Sequence, residues 1–133
     1  MNSVQLTCLI DDDPIYIFAL KKLFKNLNFS EGFIVYNNGE DAINGLIEIT
    51  NNGKPFPNLI LLDINMPIMD GWQFLDDYIN TSLNKNTPIY ITSSSIKESD
   101  LKKAKKNTLV RHYINKPLTK ETVSFIKKDL EQV

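Results

Sequence analysis

The stretch LILLDINMP, residues Leu59–Pro67, begins with a continuous apolar run, Leu59–Leu62, that ends at an aspartate, Asp63. An apolar run without alternation is typical of a central strand in a parallel sheet that helices cover on both faces. The segment Val4–Ile10, VQLTCLI, is similar, and three aspartates, Asp11 to Asp13, follow it directly. These two segments predict an α/β fold with a doubly wound parallel sheet.

Three more strand patterns and four helical patterns extend this interpretation along the chain. A similar strand is predicted at Ile89–Thr92 and weaker, more edge-like strands at Phe33–Tyr36 and Arg111–Ile114, which gives five strands in all. Apolar residues recur at helical spacing between and after the strands: Ile17, Leu20, Phe24 and Leu27; Ala42, Leu46 and Ile49; Leu75, Tyr78 and Ile79; Val123, Ile126 and Leu130. A further helix within Lys97–Lys106 has only a thin apolar stripe, Leu101 and Ala104. Alternating strands and helices predict βα repeats.

Length and composition indicate one globular domain over residues 1–133, with no separate output domain. The chain has 133 residues, 42% of them hydrophobic, with 15 Lys+Arg and 16 Asp+Glu. A net charge of -1 gives the protein no overall positive electrostatic field that would attract nucleic acid. The single Cys8 and single His112 fall short of a zinc ligand set. No segment approaches a membrane span or a signal peptide, so we expect no membrane partner and a cytoplasmic location.

Chemistry-bearing residues follow four of the predicted strands. Asp11 and Asp12 follow the first strand, Asp63 the third, Ser93 the fourth and Lys116 the fifth. Ligands of doubly wound sheets bind outside the carboxyl ends of the strands, so these side chains are expected to converge. Clustered carboxylates repel one another unless a cation lies among them, and oxygen ligands suit Mg²⁺ or Mn²⁺. The set predicts phosphoryl transfer to Asp63, with a carboxylate as the nucleophile.

Five motifs in order along the chain closely resemble the receiver domain of bacterial two-component response regulators. They are Asp11-Asp12, Asp63-Ile64-Asn65-Met66-Pro67, Asp70-Gly71, Ser93 and Tyr113-Ile114-Asn115-Lys116-Pro117. The resemblance implies a flavodoxin-like (βα)5 fold with strand order 2-1-3-4-5. It also implies a phosphorylation-controlled switch in a phosphorelay rather than a conventional enzyme.

The resemblance also implies a role for each site residue. Asp63 is similar to the phospho-acceptor, which receives its phosphoryl group from a histidine kinase or a histidine phosphotransfer protein. Asp11 and Asp12 match the acid pair that holds Mg²⁺ together with Asp63, and the backbone carbonyl of Asn65 matches a further metal ligand.

Lys116 matches the lysine that pairs with the phosphoryl oxygens, and the family usually has a cis peptide bond between this lysine and the following proline, here Pro117. Ser93 matches the switch hydroxyl, although Ser94 and Ser95 offer other hydroxyls. Ser93 is favoured because it lies five residues after Pro88. Tyr113 matches the switch aromatic.

The family's docking face lies on the fourth helix, fifth strand and fifth helix, so an unknown downstream protein is expected to bind there. A lysine cluster in the fourth helix favours a protein partner over nucleic acid; it comprises Lys102, Lys103, Lys105 and Lys106. A phosphorylation-independent interaction module is an alternative. A phosphatase of the haloacid-dehalogenase type is disfavoured, because it needs an aspartate where this chain has Asn65.

Other prominent residues have structural interpretations. Asp13 precedes Pro14 and is expected to cap a helix. Asp70 before Gly71 predicts a turn. Cys8 is expected in the core and His112 in a strand, outside the site. The sequence leaves two interpretations of Trp72 open, an anchor for a partner protein or a partly buried packing residue.

Overall fold

The computed structural model describes residues 3–132, which form one parallel sheet and five helices. The strands are β1 (Val4–Ile10), β2 (Ser30–Tyr36), β3 (Leu59–Leu62), β4 (Ile89–Ser93) and β5 (Val110–Asn115). The helices are α1 (Pro14–Asn26), α2 (Gly39–Asn51), α3 (Gly71–Ile79), α4 (Glu98–Lys106) and α5 (Lys120–Glu131). The strand order is β2-β1-β3-β4-β5, which confirms the predicted flavodoxin-like topology.

Each face of the sheet has its own hydrophobic core. On one face, Ile60 and Leu62 of β3 pack with Leu46 of α2 and Phe74 of α3. On the other face, Leu61 packs in a second core that includes residues of α1 and α5. Successive side chains of a strand point to opposite faces, so a strand covered on both sides is apolar at nearly every position. This explains the unbroken LILL run that the sequence shows in β3.

The edge strands are longer than their apolar patterns predict. β2 begins at Ser30 rather than Phe33, and β5 extends from Val110 to Asn115. Both strands lie at an edge of the sheet and pair with only one neighbour. Polar residues are tolerated at an edge because one side of the strand faces away from the sheet. Hydropathy alone therefore underestimates the length of these strands.

The amino ends of two helices show how side chains set helix boundaries. Asp13 caps α1 by accepting hydrogen bonds from the backbone N–H groups of Ile15 and Tyr16, which confirms its predicted role. Asp70 caps α3 and forms a capping box with Gln73. The prediction that Asp70 forms only a turn was wrong, because a reciprocal side-chain to backbone pair stabilises the start of α3.

The fourth helix matches the predicted segment Lys97–Lys106, beginning one residue later at Glu98. Only Ala104 of α4 is fully buried, in keeping with its thin apolar stripe. None of the helices between residues 3 and 132 is long and apolar enough to cross a lipid bilayer.

Candidate functional site

Strand register brings the predicted carboxylates side by side. Ile10 at the end of β1 pairs with Leu62 at the end of β3, and Asp11 and Asp63 are the next residues in each chain segment. The backbone N–H of Asp63 donates to the carbonyl oxygen of Ile10 at 2.9 Å, which extends the ladder into the site. Two residues that are 52 positions apart in sequence are therefore fixed at the same edge of the sheet.

Three carboxylates form a cluster with one open side. One oxygen from each of Asp11, Asp12 and Asp63 lies within 4.8 Å of the others. Asp11 and Asp63 are buried, whereas Asp12 is exposed. This donor set consists entirely of hard oxygen ligands, and its exposed member leaves room for water, which fits a divalent cation such as Mg²⁺.

Lys116 supplies the positive charge of the site. Its ammonium Nζ lies 2.7 Å from Oδ2 of Asp11 and 3.6 Å from Oδ2 of Asp63. The backbone N–H of Lys116 donates to the carbonyl oxygen of Ser93 at 2.9 Å. The Lys116–Pro117 peptide bond is cis, as the resemblance implies.

The electrostatic environment makes Asp63 a poor acid. Burial, followed by the negative charge of Asp11, raises the pKa of Asp63 to about 6. Lys116 and the backbone N–H of Asn65, which donates to Oδ1 of Asp63 at 3.3 Å, oppose this rise in pKa but do not cancel it. Near neutral pH Asp63 is therefore ionised, and its negative charge is only partly balanced by Lys116 and the N–H of Asn65. A bound cation would relieve this repulsion.

The two predicted switch residues, Ser93 and Tyr113, are linked through Ser95. Ser93, at the end of β4, is completely buried, and its hydroxyl accepts a hydrogen bond from the N–H of Ser95 at 3.0 Å. The hydroxyl of Tyr113 donates to the carbonyl oxygen of Ser95 at 2.8 Å. Ser94 is exposed, so of these two adjacent hydroxyls it is the buried Ser93 that ends the strand at the site.

Helix α4 is tied to this segment by an acidic residue that the sequence analysis did not single out. Asp100 accepts hydrogen bonds from the hydroxyl of Ser95 at 2.6 Å and from the indole N–H of Trp72 at 3.3 Å. The ammonium of Lys103 lies 5.5 Å from the centre of the Trp72 ring. Trp72 is therefore a partly buried packing residue, and its indole N–H has a hydrogen-bond partner, Asp100, on α4. No local sequence pattern pairs Trp72 with Asp100, because this contact depends on how α3 and α4 pack beside each other.

Two other contacts were also missed from sequence. The ring of Tyr16 lies beneath the Lys116 ammonium, with 4.2 Å between Nζ and the ring centre. The side-chain amide of Asn37 donates to the backbone carbonyl of Asp11 at 3.3 Å.

His112 lies in β5 and contacts Asp129 on α5, and Cys8 is buried in the core, as predicted for both residues.

Comparison with known proteins identifies the family. The profile described as "Response regulator receiver domain" matches residues 7–126. The chain is 31% identical to chemotaxis protein CheY of Treponema pallidum (strain Nichols) over 124 residues, covering 92% of this chain and 80% of that protein.

Solved structures agree in fold. A two-component response regulator from Cytophaga hutchinsonii superposes with a TM-score of 0.90 at 29% identity, covering 99% of this chain and all of that one. The phosphorylated cyanobacterial phytochrome response regulator RcpA gives a TM-score of 0.78 at 25% identity, covering 97% of this chain and 93% of that one. The chain therefore belongs to the response regulator receiver domain family.

Proposed function

We propose that this receiver domain is a phosphorylation-controlled switch that accepts a phosphoryl group on Asp63 in a Mg²⁺-dependent reaction. The observation that carries the proposal is the position of Lys116 Nζ, which lies between the carboxylates of Asp11 and Asp63 at the edge of a three-carboxylate cluster. An ammonium beside a metal-ligating carboxylate set supplies the positive charge that phosphoryl transfer requires.

In the proposed reaction, a carboxylate oxygen of Asp63 attacks phosphorus and forms an acyl-phosphate. When the donor is a phosphohistidine, the N–P bond breaks and the imidazole nitrogen keeps the electron pair. Asp11, Asp12, Asp63 and the backbone carbonyl of Asn65 would hold Mg²⁺, which would neutralise phosphoryl charge. Lys116 would donate hydrogen bonds to the phosphoryl oxygens without losing its proton.

The donor we propose is a sensor histidine kinase or a histidine phosphotransfer protein. The chain catalyses its own modification in this scheme and is not a conventional enzyme. A cytoplasmic location stays a prediction, supported by the single free cysteine, Cys8.

The proposed output is a change of the surface formed by α4, β5 and α5. A groove on this surface is lined by Leu101 and Ala104 of α4 and by Val110 and Tyr113 of β5. Because Tyr113 contacts Ser95 and also lines the groove, movement of the Ser93–Ser95 segment would change the groove directly. We propose a protein partner for this face, which the similarity to CheY over 80% of that protein supports, and neither nucleic acid nor membrane.

The proposal is tested by intact-mass measurement after incubation with Mg²⁺ and acetyl phosphate. We expect one added phosphoryl group in the wild-type chain, and none in Asp63→Asn or without the metal. Beryllofluoride, which mimics the acyl-phosphate, is the second probe, used in case the acyl-phosphate hydrolyses too rapidly to be detected. A chain that binds neither group would instead be a phosphorylation-independent interaction module.

A further inference from the structure

The aromatic ring of Tyr16 is part of the surroundings of Lys116. Tyr16 lies in the first turns of α1, three residues after the cap residue Asp13. Its ring centre is 4.2 Å from the Lys116 ammonium nitrogen, which is within the range of a cation–π interaction. The aromatic face therefore contacts the same nitrogen that contacts Asp11 and Asp63.

The hydroxyl of Tyr16 does not explain why a tyrosine occupies this position. The hydroxyl oxygen is buried and makes no hydrogen bond of regular geometry to any group within residues 3–132, although Thr92 lies beside it. A buried hydroxyl without a partner is unfavourable for folding. The favourable contribution of Tyr16 to the site must therefore come from its ring.

The ring differs from the other neighbours of Lys116 in one important respect. Asp11 and Asp63 are also the carboxylates that would bind a divalent cation, and such cations bind oxygen ligands. A cation at these oxygens weakens their attraction for the Lys116 ammonium and adds repulsion between like charges. The Tyr16 ring offers no oxygen ligand in its face, so the divalent cation does not compete for it.

We propose that Tyr16 is a positioning residue that keeps the Lys116 ammonium beside Asp63 while the carboxylates bind the divalent cation, and so speeds phosphoryl uptake. This inference rests on the proposed function. In the reaction with acetyl phosphate, an oxygen of Asp63 bonds to phosphorus as the P–O bond to the acetyl group breaks, and acetate leaves with the electron pair. Lys116 stays protonated throughout and donates to the phosphoryl oxygens.

The first test compares Tyr16→Phe with Tyr16→Leu at saturating Mg²⁺. Phenylalanine keeps the ring and removes the unpartnered hydroxyl, whereas leucine keeps an apolar side chain without a ring. We expect Tyr16→Phe to take up phosphoryl groups from acetyl phosphate within about twofold of the wild-type rate. We expect Tyr16→Leu to be slower by about fivefold, the factor that a partly buried cation–π contact supports. Tyr16→Met serves as a second ringless variant if leucine disturbs folding.

The second test measures the contact itself without any phosphodonor. The ring current of Tyr16 should shift the NMR signals of the Lys116 ε-methylene group upfield, in the presence and in the absence of Mg²⁺. The shift should persist in Tyr16→Phe and disappear in Tyr16→Leu, and thermal unfolding checks that both variants are folded.

The outcomes separate the two proposals. A wild-type chain that takes up neither a phosphoryl group nor beryllofluoride overturns the proposed function. If the wild-type chain is phosphorylated but Tyr16→Leu reacts at the same rate, or Tyr16→Phe is as slow as Tyr16→Leu, the positioning role of Tyr16 is overturned while the proposed function stands.

Discussion

At the scale of single residues, the site is held in an electrostatically unfavourable state that a ligand would relieve. Asp63 is only 7% exposed at its side chain and lies against Asp11, and burial together with this charge raises its pKa to about 6. Lys116 is hydrogen-bonded to Asp11 at 2.7 Å and is farther from Asp63, at 3.6 Å. The cation-free protein therefore loses stability by keeping Asp63 ionised at neutral pH.

We predict that Asp63→Asn stabilises the cation-free protein at pH 8. The folded state binds the Asp63 proton more tightly than the unfolded state does, so the contribution of Asp63 to stability is present below pH 4 and is lost as pH rises through about 6. The uncharged amide introduced by Asp63→Asn avoids this loss of stability. The free energy of unfolding should rise by about 2 kcal/mol at pH 8, since one pKa unit corresponds to about 1.4 kcal/mol and solvent screening reduces the total.

Urea unfolding in EDTA at pH 4, 6 and 8 checks this prediction, with Asp77→Asn on the exposed side of α3 as the control. The difference between wild type and Asp63→Asn should grow between pH 4 and pH 6 and then level off. A difference that is independent of pH would show that Asp63 does not titrate as its surroundings require.

At the scale of secondary-structure elements, α4 depends on polar contacts because its buried face is small. Only Ala104 is fully buried in this helix. Asp100 links the helix both to Trp72 of α3 and to Ser95, the residue that also contacts Ser93 and Tyr113. The position of α4 is therefore coupled to the Ser93–Ser95 segment at the carboxyl end of β4.

We predict that Asp100→Ala lowers the free energy of unfolding by about 2 kcal/mol, because it removes two hydrogen bonds to a charged acceptor. Glu98→Ala is the matched control. Glu98 is also an acidic residue of the first turn, but it is 81% exposed at its side chain and its ion pair with Lys102 spans 3.4 Å. Such an exposed pair contributes less than about 0.5 kcal/mol.

Urea unfolding and the fluorescence of Trp72, the single tryptophan of the chain, provide the two measurements. Trp72 emission should change in Asp100→Ala and stay unchanged in Glu98→Ala. Equal destabilisation by both substitutions would mean that only the charge at the start of α4 matters, and not the hydrogen bonds of Asp100.

At the scale of the whole molecule, the binding of a divalent cation should be linked to folding. The three carboxylates come from the ends of β1 and β3, so they form one site only in the folded sheet. A ligand that binds only the folded state stabilises it by mass action, by about 2.7 kcal/mol at one hundred times its dissociation constant.

We predict that Mg²⁺ raises the unfolding temperature at pH 8 and that this gain shrinks at pH 5. Protonation of Asp63, whose pKa is about 6, competes with the cation at the lower pH. Thermal unfolding with Mg²⁺ and with EDTA measures the effect, and Asp12→Asn, which removes the exposed carboxylate, should lose most of it. A gain of the same size in Asp12→Asn would indicate that the cation binds elsewhere.

Much of this architecture follows from the sequence alone. The LILL run before Asp63 and the nearly continuous apolar run before Asp11 predict two central strands, because strands covered on both faces are apolar at nearly every position. The order of the site residues along the chain then predicts their convergence, because parallel strands place their carboxyl ends at one edge. Local chemistry also predicts the Asp13 cap, since a capping side chain acts on its own helix.

Other features were decided only by the tertiary structure. The extent of β2 and β5 depends on their position at the sheet edges, which hydropathy does not encode. The raised pKa of Asp63 depends on its burial and on its distance from Asp11, with Lys116 opposing the rise, and these are fixed only in the folded sheet. The contacts of Tyr16 with Lys116 and of Trp72 with Asp100 join residues whose sequence patterns are unrelated. Such contacts arise from the packing of helices on the sheet, because packing brings together side chains that no local pattern connects.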